Sequence, residues 1–290
     1  MWLITLFSLT RINQYKYNQG IDTLVIFSSP NKKVREGYYP SLYFAFYKGG
    51  FFMPLDKDHI FYGINLTDEQ RTYVDSMIDN KVTVVDSVAG TGKTTLAVGV
   101  AAILQKKLYY VFSPVEEDKM GFRPGTQEEK ENAYIGPLKC ALAALDYLPE
   151  QCIYSEEKEM DPRFAKQQAM NEKSGRIWVY PMSHVFARGI NIEDAFVLID
   201  EAQNLTVDEL QKVLTRCHDN CTIVLAGHTG QCDLKNKSLS GFPPYREFYK
   251  TKTYANVCCL TKNFRGQVSR DADTIKEFIN SPAYRQNSVN

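Results

Sequence analysis

One stretch of the chain constrains the fold more than any other. The β-branched run Val82-Thr83-Val84-Val85 leads into Ser87-Val88-Ala89-Gly90-Thr91-Gly92-Lys93-Thr94-Thr95, and a helical segment runs from Thr94 to Gln105. A strand, a glycine-bearing loop ending in Lys-Thr and a helix, in that order, make a P-loop. Gly90 and Gly92 let the backbone curl, so that N–H groups from Ala89 through Thr95 face inward at the positive end of the helix. Lys93 then reaches the β- and γ-phosphates of a nucleotide, and the Thr94 hydroxyl holds Mg²⁺. Ser87 stands where G-x-x-x-x-G-K-T has its first glycine. The substitution is expected to alter the loop entrance while leaving the cradle in place.

Such a loop needs a metal carboxylate at the end of a neighbouring strand. Ala195-Phe196-Val197-Leu198-Ile199 is an apolar run followed at once by Asp200-Glu201. Asp200 is expected at the carboxyl edge of the sheet, holding Mg²⁺ through water, with Glu201 polarising the attacking water. Further runs at 108–112, 177–180 and 222–226 read as strands, and Thr206–Cys217 as a helix. Nearly continuous apolar runs belong to strands covered on both faces, so the fold class is α/β with a mostly parallel sheet.

Around this core, residues 1–62 are rich in Tyr and Phe, with aromatic runs on either side of Gly49-Gly50. They read as a small β-rich element, either a hairpin core or a stacking platform for single strands. The core domain is assigned to 63–280, with an acidic, loop-rich insertion at 115–172 and a flexible tail at 281–290. Lys+Arg and Asp+Glu both number 34, so any attraction to nucleic acid is local. Seven scattered cysteines without a C-x-x-C pair suit a reduced, cytoplasmic chain. No apolar run approaches the ~18–20 residues of a membrane span, and the first residues lack the features of an export signal. Cys217-His218 with Cys221 lacks a fourth ligand for zinc, and His59 and His184 read as ordinary residues.

Asp200-Glu201-Ala202-Gln203-Asn204 resembles the PhoH family, whose ATPase core is of the RecA-like P-loop NTPase type and similar to the first motor domain of superfamily 1 helicases. Other segments match in order: Met120-Gly121-Phe122-Arg123-Pro124-Gly125, Gly136-Pro137-Leu138, Arg188-Gly189, Gly227-His228-Thr229-Gly230-Gln231-Cys232-Asp233-Leu234 and Ser240-Gly241. The resemblance covers roughly residues 63–270. It implies that Gln231 senses the γ-phosphate, that Gln70 of Leu66-Thr67-Asp68-Glu69-Gln70 reads adenine, and that Arg265 of Asn263-Phe264-Arg265 contacts the γ-phosphate. Thr67-x-x-Gln70 is also a capping box. No N-K-x-D guanine motif occurs, so ATP is the expected nucleotide.

Departures from the family are His228 for its aspartate and Ser113-Pro114 for its Arg-Pro. No nuclease-like PIN domain is visible. A second motor of ~150 residues does not fit after Asp233, which motivates a homo-oligomer supplying an arginine between subunits. Between Leu234 and Arg265 there are seven Lys/Arg against Glu247 alone, interleaved with Phe242, Tyr245, Phe248, Tyr249, Tyr254 and Phe264. This reads as a track for single-stranded RNA or DNA or, equally, as a solvated amphipathic face. The expected activity is Mg²⁺-dependent ATP hydrolysis acting on such a polymer. Small-molecule phosphorylation and nucleotide-gated assembly remain the alternatives.

Overall fold

Val82-Thr83-Val84-Val85 is buried on every side, as expected of a strand in the middle of a two-faced sheet. The computed structural model describes residues 13–15, 24–26, 60–61, 64–114, 134–187, 189–281 and 284. The chain divides into two units, residues 1–65 and 66–290. In the first, strands β1 (Asn13–Tyr15) and β2 (Leu24–Ile26) pair antiparallel. The hairpin expected around Gly49-Gly50, the 120–125 segment and Arg188 lie outside the described residues.

The second unit runs α1 (Asp68–Asp79), β3 (Val82–Ser87), α2 (Lys93–Ile103), β4 (Lys107–Phe112), α3 (Gly136–Ala144), α4 (Pro149–Cys152), α5 (Glu156–Met160) and α6 (Pro162–Lys173). It continues with β5 (Val179–Ser183), β6 (Ala195–Ile199), α7 (Val207–Leu214), β7 (Thr222–Gly227), α8 (Phe242–Lys250), β8 (Ala255–Leu260) and α9 (Gln267–Asn280). The six strands from β3 to β8 form one sheet in the order β5-β4-β6-β7-β3-β8, and every neighbouring pair is parallel. The α/β class read from the sequence is therefore the observed one. α2 is apolar nearly all round, with Leu96 through Ala101 buried, because it lies beneath α1 and α3. Parallel strands bring the ends of β3, β4, β6 and β7 to a common edge, where open α/β sheets place their ligands.

Several boundaries differ from the sequence reading, among them the helix expected at Thr94–Gln105, which is Lys93–Ile103, and three differences have a local cause. The strand expected at 177–180 is Val179–Ser183; it is an edge strand, so it continues through Pro181, which a central strand would exclude. The helix expected from Thr206 to Cys217 is Val207–Leu214, because Thr206 is its N-cap in a capping box with Glu209. The described part of the expected loop-rich insertion carries α3 to α6. Prolines 137, 149 and 162 lie in first helical turns there, so they start helices where a loop was expected.

Gly241 shows how closely the Ser240-Gly241 motif packs. A Cβ at Gly241 would lie 2.7 Å from both the Thr206 carbonyl carbon and the Val207 nitrogen, which are backbone atoms. Gly241→Ala is expected to cost ~1–3 kcal/mol by overpacking. The cost should appear as a lower urea midpoint at unchanged m-value.

Candidate nucleotide site

The glycine loop takes the conformation its residues require. Gly90 and Gly92 have φ of +73° and +84°, a region that side-chain-bearing residues avoid. Gly92 is the N-cap of α2, and no side chain caps that end, so the first-turn amides are oriented to receive an anion. Ser87 stays in β3 opposite Leu260, without a positive φ, so this position makes no demand for glycine. The Ser87 and Thr91 hydroxyls are buried without a protein partner.

Asp200 follows the fully buried β6 and is itself 2% exposed. Its Oδ2 accepts the Thr94 hydroxyl at 2.9 Å and the Tyr110 hydroxyl at 3.1 Å. Its Oδ1 accepts the Glu201 N–H at 3.1 Å and lies 3.9 Å from Lys93 Nζ. Glu201 adopts the left-handed conformation, φ +50° and ψ +42°, which is costly for a residue with a side chain. Its carboxylate receives Lys93 Nζ at 2.6 Å on Oε1 and Gln203 Nε2 at 2.6 Å on Oε2. Lys93, Thr94, Asp200 and Glu201 thus converge at the sheet edge.

The ionisation of these groups follows from their surroundings. Burial pushes the Asp200 carboxyl above its ordinary value, and the Lys93 charge only partly opposes this. Burial alone would lower the Lys93 ammonium, but Asp200 and Glu201 outweigh it and raise it. For Glu201 burial pushes upward, and Lys93 with its hydrogen bond brings the net below the ordinary carboxylate range. The Tyr110 phenol is raised far up by burial and by Asp200, so it stays a proton donor to that carboxylate. Thr94 and Asp200 offer the hard oxygen donors that Mg²⁺ takes, and the residues fit that ion.

The remaining expected residues are distributed around this centre. Gln70 is buried; its Nε2 donates to the Thr91 carbonyl at 2.9 Å, while its Oε1 accepts Thr67 N–H at 3.0 Å. Both the capping box and a contact with the loop are therefore present, through the two ends of one amide. Phe264 N–H donates to the Gly90 carbonyl at 2.9 Å. The stem of Arg265 crosses Gly90 so closely that a Cβ there would lie 2.8 Å from its Cγ. Arg265 thus meets the loop of its own chain. Glu69 holds that segment by accepting the Thr261 N–H and hydroxyl at 2.8 and 2.7 Å. Gln231 is exposed, at the end of a turn whose His228 N–H donates to Gln203 Oε1 at 3.0 Å.

Tyr110, Gln203 and Glu69 carry no assigned role in the sequence reading, although Gln203 and Glu69 lie inside its motifs. Tyr110 left a faint signal as a polar-tipped residue inside an apolar strand, whereas Glu69 left none. A cavity of about 640 Å³ opens beside Asp200 and Glu201 and is lined also by Tyr110, Asn204 and Lys235. A larger hollow of about 720 Å³ lies along edge strand β5, against Tyr109, Tyr154 and Tyr180, away from these carboxylates. Among the described residues, no helix is long and apolar enough to cross a membrane.

The PhoH-like protein family matches residues 64–275. A PhoH-like protein of Mycobacterium bovis is 33% identical over 181 residues, covering 60% of this chain and 46% of that protein. One from Synechocystis is 31% identical over 202 residues, covering 68% and 56%. Protein PhoH of Escherichia coli is 27% identical over 180 residues, covering 60% and 46%. The chain spans about half the length of the curated relatives it matches. Among solved structures, the Pyrococcus furiosus Hef helicase domain aligns at TM-score 0.41 and 12% identity, covering 67% of this chain and 38% of that one. Bacteroides Pif1 bound to single-stranded DNA aligns at TM-score 0.35 and 16% identity, covering 73% and 46%.

Proposed function

The chain belongs to the PhoH-like protein family, and from that premise we propose that this P-loop NTPase hydrolyses ATP with Mg²⁺ and acts on single-stranded RNA or DNA. The observation that carries the proposal is the convergence of Lys93, Thr94, Asp200 and Glu201, with Thr94 and Asp200 at 2.9 Å and Lys93 and Glu201 at 2.6 Å.

Ala89 through Thr95 bind the phosphates through backbone N–H groups, and Lys93 leaves Glu201 for the β- and γ-oxygens. Thr94 and Asp200 would hold Mg²⁺, and the ion would supply positive charge against the phosphates. Glu201, released from Lys93, orients the attacking water and accepts its proton. Gln231 and Arg265 contact the γ-phosphate, Arg265 offsetting charge as the bond breaks. Gln70 braces the loop at Thr91 with the amide that also faces the adenine. A carboxylate in the position of Glu201 favours water as the acceptor over a metabolite.

Support for a polymer comes from the exposed part of the cationic, aromatic segment; Phe242 and Tyr249, also expected in the track, are buried in the core instead. Phe248, Tyr254 and Phe264 are each close to half exposed, with Lys252 at 4.2 Å over Phe248 and Lys262 at 5.1 Å over Phe264. Phosphate release measured with and without a single-stranded oligonucleotide tests both halves of the proposal. The expected result is Mg²⁺-dependent release from ATP, stimulated by the oligonucleotide, with binding that weakens as salt rises. Transfer of the phosphoryl group to an added metabolite in place of release would overturn it.

A further inference from the structure

The turn that carries Gln231 is pinned by a residue that the chemistry above does not use. His228 to Gln231 close a four-residue turn through the Gln231 N–H, which donates to the His228 carbonyl at 3.3 Å. Asp86, near the end of β3, grips the corner of that turn. Its Oδ1 accepts the Thr229 N–H at 3.0 Å, and its Oδ2 accepts the Thr229 hydroxyl at 3.0 Å. The Arg246 guanidinium, from α8, also donates to Oδ2. His228 Nδ1 lies 3.8 Å from Asp86 Oδ1, and the His228 ring backs Gly230, where a Cβ would meet Nε2 at 2.9 Å. On its other side the turn is tied through Gln203 to Glu201.

We propose that Asp86 is a positioning residue for hydrolysis: it clamps Thr229 to the strand that leads into the phosphate loop and thereby sets where Gln231 stands over the terminal phosphate. The inference rests on the ATPase reading above. Had Asp86 served only to neutralise Arg246, one oxygen would suffice, and the Thr229 backbone would have no reason to face it. Instead both carboxylate oxygens are used on one residue, through its main chain and its side chain. Hydrogen bonds to an ionised acceptor are stronger than neutral ones, so a carboxylate that takes two from one residue fixes a loop more firmly than a neutral pair does. Asp86 directly precedes Ser87, the first residue of the loop motif and the last of β3, so the clamp ties the turn to the strand end from which the cradle springs. A group that must meet a reacting phosphate needs this kind of support, because small displacements are costly in rate.

The test is an isosteric substitution. Thr229→Val keeps the backbone N–H and the side-chain shape but removes the hydroxyl, whereas Thr229→Ser keeps the hydroxyl. Losing one hydrogen bond to a charged acceptor is expected to slow single-turnover phosphate release ~10-fold, with ATP affinity within ~2-fold of wild type. Thr229→Ser should restore the rate, and Asp86→Asn should reproduce the defect at a melting temperature near that of wild type. Hydrogen exchange supplies a second readout: ATP should protect the 228–231 amides in wild type and not in Thr229→Val. Wild-type release by Thr229→Val, or unchanged ATP protection of its turn, would overturn the inference. If wild type itself releases no phosphate, the ATPase reading fails and the hydrolytic role of Asp86 with it, whereas release by wild type with no defect in Thr229→Val overturns the role of Asp86 alone.

Discussion

Glu201→Gln is expected to bind ATP somewhat more tightly than wild type while turning it over ~10²-fold or more slowly. The two signs have one origin. Lys93 is held by Glu201 at 2.6 Å, and phosphates compete with that carboxylate for the ammonium. A neutral amide releases Lys93 at smaller cost. The Glu201 side chain is about half exposed (48%), so the ion pair is screened, and the gain in affinity is no more than ~5-fold. Turnover falls because an amide neither polarises the attacking water nor takes its proton. A fluorescent ATP analogue reports the first effect and single-turnover phosphate release the second. Destabilisation of the fold would weaken both, so the opposed signs identify the chemical role. Turnover within ~3-fold of wild type would remove Glu201 from the mechanism, since a positioned acid–base group contributes far more than that.

Lys93→Ala has the second large effect. Hydrogen bonds to charged groups are worth ~1.5–3 kcal/mol, so ATP affinity should drop ~10- to 100-fold. The substitution also leaves Asp200 and Glu201 side by side without their shared cation. Asp200 is already pushed upward by burial, and losing Lys93 removes the main charge that keeps it ionised. ATP should lose more affinity than ADP, because the ammonium serves the γ-phosphate as well as the β-phosphate. Calorimetric titration of both nucleotides into wild type and variant measures the difference. Equal losses for ATP and ADP would place Lys93 away from the terminal phosphate.

Much of the fold was legible because parallel strands are buried on both faces and leave continuous apolar runs. The runs at 82–85, 108–112, 195–199 and 222–226 are strands at or within one or two residues of the expected limits. β5 was less legible because its proline is tolerated only by virtue of its edge position, which is a fact of topology. The helices of the 115–172 insertion were less legible too, because three of them carry prolines 137, 149 and 162 in their first turns, and a proline suits a first helical turn as well as a loop.

At the site, the loop and the Asp200-Glu201 pair were legible because phosphate binding demands particular residues at particular spacings. The supporting bonds were not. Tyr110 meets Asp200 across two strands, Glu69 meets Thr261 across 192 residues of chain, and Asp86 meets Thr229 across 143. No periodicity records such pairs, since each depends on where the sheet order places two side chains. Gln70 shows the limit from the other side. Its motif suited both a helix cap and a nucleotide contact, and the structure divides one amide between the cap and the loop.

Titrating the wild-type chain with a fluorescent ATP analogue, with and without Mg²⁺, bears most directly on whether residues 89–95 and Asp200 make one triphosphate site. Saturable binding that ADP and ATP displace, and that weakens when Mg²⁺ is removed or Asp200 is changed to Asn, is the expected outcome. Binding that is absent, or indifferent to both the cation and Asp200, would contradict it.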